Sequence, residues 1–507
     1  MFSSLSNREV KAFNTVRGRQ IILWSLVLLF FFIYTLQVVL NHFFLRTYAL
    51  DYGFYNQAFW DFAHLRTNSN TVFEPPLETY FQIHPGFTLL LISPLYWIFT
   101  PIFGTYSLLI IQNIFIVSGG YCVYLLIKEK TCNFWLAILA FLHFNVIWGH
   151  YSALSSDFIE TTIAASMVPA FLLYFNRRKF FLSCIVFLFI ITCKENMPLW
   201  FIFISVTLIL SYKEKDAKMF SLGLAIFSLL YFLFLFAFLI PHFERPGLPY
   251  GGFAYTALGK TPGEALQFIF THPFQTFRLL FINHLGDPSY NFIKAEFYKV
   301  FLVSGGILLL IRPVYIIPFI PIIAQKMLND SIGRWGILGF YSIEAVSILS
   351  VFVFFAVDRI SNTSYKVILC SILCISTFSV TLNKLDQRTS LWYDISKENM
   401  LKSSFYKSDM DVRKIRRQIA SFVPADSSFA ASQSIVPHFS QRKKSYIFPF
   451  VHDARYIVIL KDNRPYPLTP EQFESQMSKY RASPDWECVL DDHPLLILRR
   501  VTNGNNR

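Results

Sequence analysis

The sequence predicts an all-α polytopic membrane protein with about eleven spans, followed by a small α/β domain. Hydrophobic residues make up 54% of the 507 residues and charged residues only 15%. Such a chain cannot cover a water-exposed surface with polar groups, so it is predicted to lie in a membrane. Long apolar segments recur up to residue 382, and after Lys384 the composition changes to that of a soluble domain.

Residues 1–383 form the predicted transmembrane domain. A helix needs roughly 20 apolar residues to cross a bilayer, and several of the segments here are shorter than that. They lie near residues 20–40, 105–127, 133–150, 159–175, 180–193, 197–210, 218–240, 299–311, 314–328, 337–357 and 366–382. Residues 85–100 are also apolar, but they are short and contain Pro94. We therefore predict a juxtamembrane helix there, lying in the membrane interface.

The charges of the loops predict how the chain is oriented. Residues 1–19 are basic and precede an apolar run without a small-residue cleavage site, so the first helix is predicted to be retained, with a cytoplasmic N terminus. With eleven spans, the basic loops at 128–130, 176–179 and 213–218 also face the cytoplasm. The first loop (41–104) and the long loop (241–298) then lie outside the cytoplasmic membrane. This orientation accounts for the net charge of +13, so nucleic acid is not a predicted partner.

Residues 384–507 are predicted to form an extracytoplasmic α/β domain. Asp409–Phe422 has the spacing of an amphipathic helix, and Tyr456–Leu460 is a continuous apolar run typical of a buried strand. Trp486–Leu498 resembles two strands around an Asp-Asp-His-Pro turn.

Asp51 is the candidate catalytic residue. It opens an amphipathic stretch in the first outer loop that is too polar to cross a bilayer. A carboxylate near the lipid boundary is partly desolvated, and this raises its basicity, as a general base requires. The alternative is that Asp51 caps an interfacial helix.

Asp157 and Glu160 are candidate substrate-binding residues at the start of a later span. Their i, i+3 spacing places both carboxylates on one helix face. The surrounding sequence is also close to a capping box, which would explain both side chains without a ligand. If Asp51 and His84 converge with them, the four residues could hold Mg²⁺ or Mn²⁺.

Lys194 and Glu195 interrupt two apolar stretches at another outer turn. Lys194 could bind a phosphate, and Glu195 could bind a sugar hydroxyl or orient the lysine. A tight interfacial turn with a snorkelling lysine is the alternative.

Four further residues complete the candidate binding set on the same side. Glu344 is acidic within an apolar span, which makes it a functional candidate, and Tyr341 lies beside it. Arg245 and Lys260 lie in the long loop among tyrosines and histidines, a mixture suited to a phosphate and a sugar.

Five motifs occur in a distinctive order: Leu50–Trp60, His84-Pro85, Asp157–Glu160, Lys194-Glu195, and Ser432–Ser440 with His438. In this order they resemble GT-C-type glycosyltransferases, and more closely a group of predicted membrane proteins of bacteria and archaea. The resemblance implies transfer of a sugar from a polyprenyl-phosphate donor to a glycan, lipid or protein acceptor outside the membrane. Asp51 then corresponds to the first-loop aspartate, and His438 joins the substrate-binding residues.

Other functional classes find less support in the sequence. It contains no Gly-Lys-Ser/Thr phosphate loop, no His-Glu-x-x-His and no Gly-x-Ser-x-Gly motif. A transporter or flippase of lipid-linked sugars, and a non-catalytic envelope-assembly protein, remain the alternatives to an enzyme.

Overall fold

A computed structural model describes residues 15–67, 69–244, 253–337, 339–386, 394–461 and 465–501. Over these residues the chain is mostly helical, with a small mixed sheet near the C terminus. This confirms the predicted helical body and C-terminal α/β unit.

The α-helices alternate with short 3₁₀ and π segments, and their bounds follow chain order. They are α1 (Val16–Phe43), α2 (Phe54–Ala63), α3 (Thr88–Ile92), α4 (Tyr96–Phe103), α5 (Ser107–Thr131), α6 (Phe134–Val146), α7 (Trp148–Leu154), α8 (Glu160–Asn176), α9 (Phe180–Ile191), α10 (Met197–Ser211), α11 (Lys215–Phe234), α12 (Ile240–Phe243), α13 (Pro262–Thr271), α14 (Pro273–Leu279), α15 (Ile293–Val303), α16 (Ile320–Met327), α17 (Ile332–Trp335), α18 (Ile343–Val357), α19 (Thr363–Asp386), α20 (Ile395–Glu398), α21 (Val412–Phe422), α22 (Val436–Phe439) and α23 (Pro470–Ala482).

Five helical stretches of the described chain are long and apolar enough to cross a membrane. They are Val16–Phe43, Thr88–Thr131, Phe134–Leu154, Lys215–Phe243 and Thr363–Asp386. Shorter apolar helices accompany them at Phe180–Ile191, Met197–Ser211, Pro313–Met327 and Ile343–Val357.

Local sequence explains where individual helices end. Between α5 and α6, Cys132 adopts a left-handed conformation (φ 53°), and the Asn133 side chain accepts hydrogen bonds from the amides of Trp135 and Leu136. The Asn133 side chain satisfies two of the free amides at the start of α6, and the left-handed conformation of Cys132 ends α5 and turns the chain. In the predicted interfacial segment, Pro94 lies in a 3₁₀ turn that separates α3 from α4, because proline has no amide for the helical ladder. The 85–100 segment is therefore two short helices instead of one.

The segments that connect the helices form two separate groups, and segments contact others within the same group. In one group, Phe87 N donates to Thr192 O at 2.8 Å and Asn41 Nδ2 donates to Lys397 O at 2.9 Å. In the other group, Arg177 Nε lies 3.0 Å from Glu129 Oε1. The first group carries most of the candidate site residues, so these residues collect at one end of the helices.

The C-terminal unit contains a five-stranded sheet with strand order β2-β1-β3-β5-β4. The strands are β1 (Phe429–Ala431), β2 (Ser445–Ile447), β3 (Tyr456–Leu460), β4 (Trp486–Asp492) and β5 (Leu495–Arg500). Strand β1 pairs in parallel with β2 and β3, and β5 pairs antiparallel with β3 and β4. The predicted strand at 456–460, the predicted hairpin and the helix ending at Phe422 are all confirmed.

Buried hydrogen bonds join this sheet to the first loop. Thr71 Oγ1 donates to Ser445 O and accepts from Ser445 N, both at 2.9 Å. It also accepts from Gln57 Nε2 at 3.0 Å. Asn56 and Gln441 add a side-chain hydrogen bond of 3.1 Å alongside. The sheet is thus fixed against the helix that follows Asp51.

Replacing Thr71 by Val should weaken this junction. The variant leaves the buried Ser445 amide without its hydroxyl acceptor and removes the shortest of the hydrogen bonds that Gln57 Nε2 donates, which costs about 2 kcal/mol of unfolding free energy. Thermal unfolding of the purified full-length protein in detergent measures the loss. Thr79→Val serves as the control, because Thr79 lies in the same loop and makes a single 3.3 Å hydrogen bond. Equal effects of the two variants would contradict the assignment.

Candidate functional site

Asp51 lies inside a π-helical turn, Ala49–Gly53, that leads directly into α2. Gly53 is the N-cap of α2, so the alternative interpretation of Asp51 as a helix cap is wrong. The side chain of Asp51 is exposed to solvent, yet desolvation by the surrounding protein raises the pKa of its carboxyl, with Lys397 opposing the change. Single π turns are rare and occur often at functional sites. The geometry presents a reachable carboxylate of increased basicity.

Asp157 is buried beside Lys397, a residue of the C-terminal portion. Lys397 Nζ lies 3.1 Å from Asp157 Oδ1, and the Tyr48 amide lies 3.4 Å from Oδ2. Burial raises the pKa of Asp157 to about 7, while Lys397 opposes this and the charge of Asp51 adds to it. Burial opposes the charge of Lys397, but the attraction of Asp157 and Asp51 prevails and raises the pKa of this lysine. The three groups form one electrostatic cluster.

The backbone around Asp157 is held in an unusual conformation. Asp157 has a left-handed φ of 66°, and Gln112 bonds to both sides of it, donating to Asp157 O and accepting from Ile159 N at 2.9 Å each. Ile159 is the N-cap of α8 and provides no side-chain cap. The capping-box interpretation of Asp157 and Glu160 is therefore wrong, and a non-glycine residue at positive φ indicates a locally constrained site.

The His84-Pro85-Gly86 turn packs on the turn that carries Lys194. A Cβ atom at Gly86 would collide with the Cys193 carbonyl and come within 3.3 Å of the Glu160 carboxylate. Only glycine allows this close approach. The turn thereby brings the motifs at 84, 160 and 194 together.

His84 and Glu195 form the next contact in this region. His84 Nδ1 lies 3.7 Å from Glu195 Oε1. Burial lowers the pKa of His84, and the positive charge of Lys194 lowers it further. Lys194 also interacts electrostatically with Glu160, and its Nζ lies 5.2 Å from the centre of the Phe340 ring. Because His84 is neutral, Lys194 provides the positive charge here, and this half-buried charge suits an incoming anion.

Tyr55 connects the two regions. Burial raises the pKa of the Tyr55 hydroxyl well above its usual value, and the charges of Glu160, Glu195 and Asp51 raise it further. The neighbouring Tyr80 responds in the same way to burial and to Glu160. Both hydroxyls therefore stay protonated and can donate hydrogen bonds. Asp51, Glu160 and Glu195 share one neighbourhood around Tyr55.

Glu344 and Tyr341 border the same region. Asn196 Nδ2 donates to Glu344 Oε1 at 3.1 Å, so Glu344 contacts the turn after Lys194. The Arg334 guanidinium lies 5.5 Å from the centre of the Tyr341 ring and acts electrostatically on His84. In the described chain Arg334 has no ion-pair partner within the salt-bridge distance.

Two of the predicted residues lie apart from this neighbourhood. Lys260 lies in an exposed turn before α13, and Arg245 falls outside the described residues. His438 is buried and stacks on His42 with ring centres 3.9 Å apart, behind the turn that carries Asp51. Burial, and the positive charges nearby, lower the pKa of His438 well below its usual value.

The sequence interpretation missed Lys397, Tyr55 and Arg334. The sequence did contain a signal for Lys397, because Lys397–Met400 repeats the four residues of Lys194–Met197. In both copies the lysine faces an acidic residue at the start of α8. Tyr55 lies within the Leu50–Trp60 motif but is not distinguished there from the neighbouring aromatic residues, and Arg334 had no distinguishing sequence pattern.

The candidate metal ligands do not converge. No group of three or more His, Cys, Asp or Glu side chains in the described part of the chain could hold a metal ion. Asp51 and Asp157 adjoin a lysine instead, and His84 faces Glu195. These residues do not fit Mg²⁺ or Mn²⁺.

Replacing Lys397 by Met should destabilise the protein in a pH-dependent way. The pKa of Asp157 is raised in the folded protein, so the stability that this group contributes to the fold is lost as the pH rises through about 7. Removing the lysine raises that pKa further, so the deficit in unfolding temperature should grow from about pH 6 to about pH 8. At the upper end we expect a loss of about 3 kcal/mol, and adding Asp157→Asn should restore part of it. A deficit independent of pH would contradict the pairing.

Comparison with models of protein families gives a match over most of the chain. A family model described as "Predicted membrane protein (DUF2079)" matches residues 41–493, which include the first loop, the site and most of the sheet. No curated protein matches the chain. The match does not extend to GT-C glycosyltransferases, so that part of the resemblance stays a prediction. Because the family model covers most of its length, the chain belongs to the DUF2079 family of predicted membrane proteins.

Proposed function

We propose that this protein is a membrane glycosyltransferase that moves a sugar from a polyprenyl-phosphate donor to an acceptor on the outer face of the cytoplasmic membrane. One observation carries the proposal: an accessible, basic carboxylate at Asp51 shares a neighbourhood with His84 and Lys194, at one end of a bundle of apolar helices. Acid–base chemistry and anion binding at the level of lipid headgroups are what this reaction needs.

The proposed topology has eleven passes, with the site group of loops outside. The contacts within each group support an alternating path, because each of the helices α5, α8 and α10 begins in one group and ends in the other. The basic loop at 177–179 belongs to the group opposite the site, which favours a cytoplasmic position for that end. The N terminus is then cytoplasmic, and the C-terminal sheet lies outside.

In the proposed reaction Asp51 accepts the proton of the acceptor hydroxyl. The acceptor oxygen then attacks the anomeric carbon, and the bond from that carbon to the phosphate oxygen breaks in a direct displacement. The departing polyprenyl phosphate keeps the bonding electrons and is stabilised by Lys194 and Arg334. Tyr55 donates a hydrogen bond to the sugar between the two centres.

The arrangement of the charges supports separate positions for the two substrates. Asp51 and Asp157 are the acids nearest Lys397, so that side is suited to a hydroxyl acceptor. His84, Lys194 and Arg334 provide the positive charge on the other side, which suits the donor phosphate. The position of Tyr55 between them is suited to the transferred sugar.

A transporter or flippase of lipid-linked sugars is the alternative from another class. Such a protein would bind the anionic lipid-linked sugar without catalysing a reaction. The cations near His84 would serve this function as well as they serve the enzyme. A non-catalytic assembly protein is the second alternative. A basic Asp51 favours the enzyme, because transfer to a hydroxyl needs a proton acceptor, whereas an assembly protein needs none and a transporter needs one only when it is coupled to protons.

Replacing Asp51 by Asn should abolish transfer while preserving donor binding. Loss of a general base lowers the rate by at least about 100-fold. The measurement is transfer of radiolabelled sugar from polyprenyl phosphate by the full-length protein in membranes. Asp485→Asn is the matched control, since Asp485 is exposed in the C-terminal unit. Transfer by neither the wild type nor the control, together with donor movement in proteoliposomes, would favour the transporter.

Replacing Arg334 by Gln should raise the KM for the donor more than it lowers kcat. Removing one charge-assisted bond to phosphate weakens donor binding by about tenfold to 100-fold. Steady-state transfer kinetics with varied donor concentration measure both constants. Arg417→Gln in the exposed part of α21 is the control. An unchanged donor KM would remove Arg334 from the phosphate position.

A further inference from the structure

A cavity lies at the end of the helices opposite the candidate site. Its volume is about 290 Å³. It is bounded by the C-terminal end of α5, by the turn between α10 and α11, and by residues that flank the end of α18. The lining residues are Lys130, Leu208, Ser211, Tyr212, Lys213, Glu214, Arg312, Tyr315, Phe352, Phe355 and Arg359.

Four basic side chains and one acidic side chain line this cavity. Two of the cations are held in place by aromatic rings: Lys130 Nζ lies 4.4 Å from the centre of Phe355, and Arg312 Cζ lies 5.1 Å from that of Tyr315. Arg312 also donates to Ser211 O at 3.2 Å. These contacts position the charges without neutralising them.

The acids at this end pair with other cations. Glu214, the acid of the cavity, lies 2.9 Å from Arg178, which does not line it. The remaining pairs are Glu129 with Arg177, Asp216 with Arg178, and Asp358 with Lys366. In the described chain the cavity cations Lys130, Lys213, Arg312 and Arg359 form no ion pair. The cavity therefore has an excess of positive charge.

We propose that this cavity binds a phosphoryl anion. Several unpaired cations around a concave surface lower the energy of an anion there, and arginine and lysine are the usual ligands of phosphate. The proposal does not depend on the transferase function, because the cavity lies at the opposite end of the helices from Asp51.

The cavity's size and surroundings favour a lipid headgroup as the source of the phosphoryl group. A volume near 290 Å³ is at the lower end of small-molecule sites, so it suits a headgroup better than a nucleotide. Leu208 and Phe352 give it an apolar side, and the adjacent Leu210 and Ile311 are exposed. Such apolar surface fits the acyl chains of a phospholipid whose phosphate meets the cations.

Native mass spectrometry of the full-length protein in detergent tests this proposal, with phosphatidylglycerol and phosphatidylcholine as probes. The wild type should retain phosphatidylglycerol preferentially. The double variant Lys213→Gln, Arg359→Gln removes two exposed cavity charges, and we expect about 25-fold weaker binding. The double variant Lys215→Gln, Lys218→Gln removes two exposed charges from the same end but outside the cavity, so it should bind like the wild type.

Inorganic phosphate provides the second arm of the experiment. If it stabilises the protein against heat, and this effect depends on Lys213 and Arg359, then the ligand is a free phosphate and the site is supported. If only phosphatidylglycerol binds with that dependence, the ligand is the headgroup. Equal losses in the two double variants, or equal retention of phosphatidylcholine, would overturn the proposal. If inorganic phosphate also fails to stabilise the protein in this way, a photoreactive phosphatidylglycerol that labels no peptide containing Tyr212 or Tyr315 in the wild type would overturn it as well.

Discussion

The architecture depends on the compensation of buried carboxylates by lysine. Removing an ion from water costs several kcal/mol even after the protein relaxes, so a buried acid persists only beside a cation or in its neutral form. Asp157 meets this requirement with Lys397, which is separated from it by most of the helical body in sequence. The pair holds the start of the C-terminal portion against the helix bundle, and Asn41 reinforces it through the Lys397 carbonyl. The position of Asp51 follows, because its turn lies between these elements.

The two lysine turns give the site its internal order. Each lysine begins the same four-residue sequence and faces one of the two acids at the start of α8. The surroundings differ, however. Lys397 is buried beside Asp157 and also feels the charge of Asp51, so its charge is largely compensated, whereas Lys194 is half-buried near a histidine and near Arg334. The same short sequence thus contributes to a basic carboxylate in one place and to a net positive region in the other.

Much of the fold could be predicted from the sequence, because its signals are local. Long apolar runs specify helices, and Tyr456–Leu460 was recognisable because a strand buried on both faces is continuously apolar. Several site residues could be chosen because polar groups between apolar segments are unusual. The repeated four-residue sequence marks Lys397 but does not reveal its partner, and Arg334 has no such mark, because both roles arise from contacts between distant segments. The interpretation of Asp157 as a cap was wrong for a related reason: its φ of 66° is imposed by Gln112 from another helix.

The pairing of Asp157 with Lys397 also constrains biosynthesis. The acid is incorporated into the growing chain long before its lysine, so the nascent helices must fold for a time with this charge unmatched. During that interval Asp157 stays hydrated or is buried only in its neutral, protonated form. The ion pair between Asp157 and Lys397 can therefore form only after the ribosome has added Lys397, within the last quarter of the polypeptide.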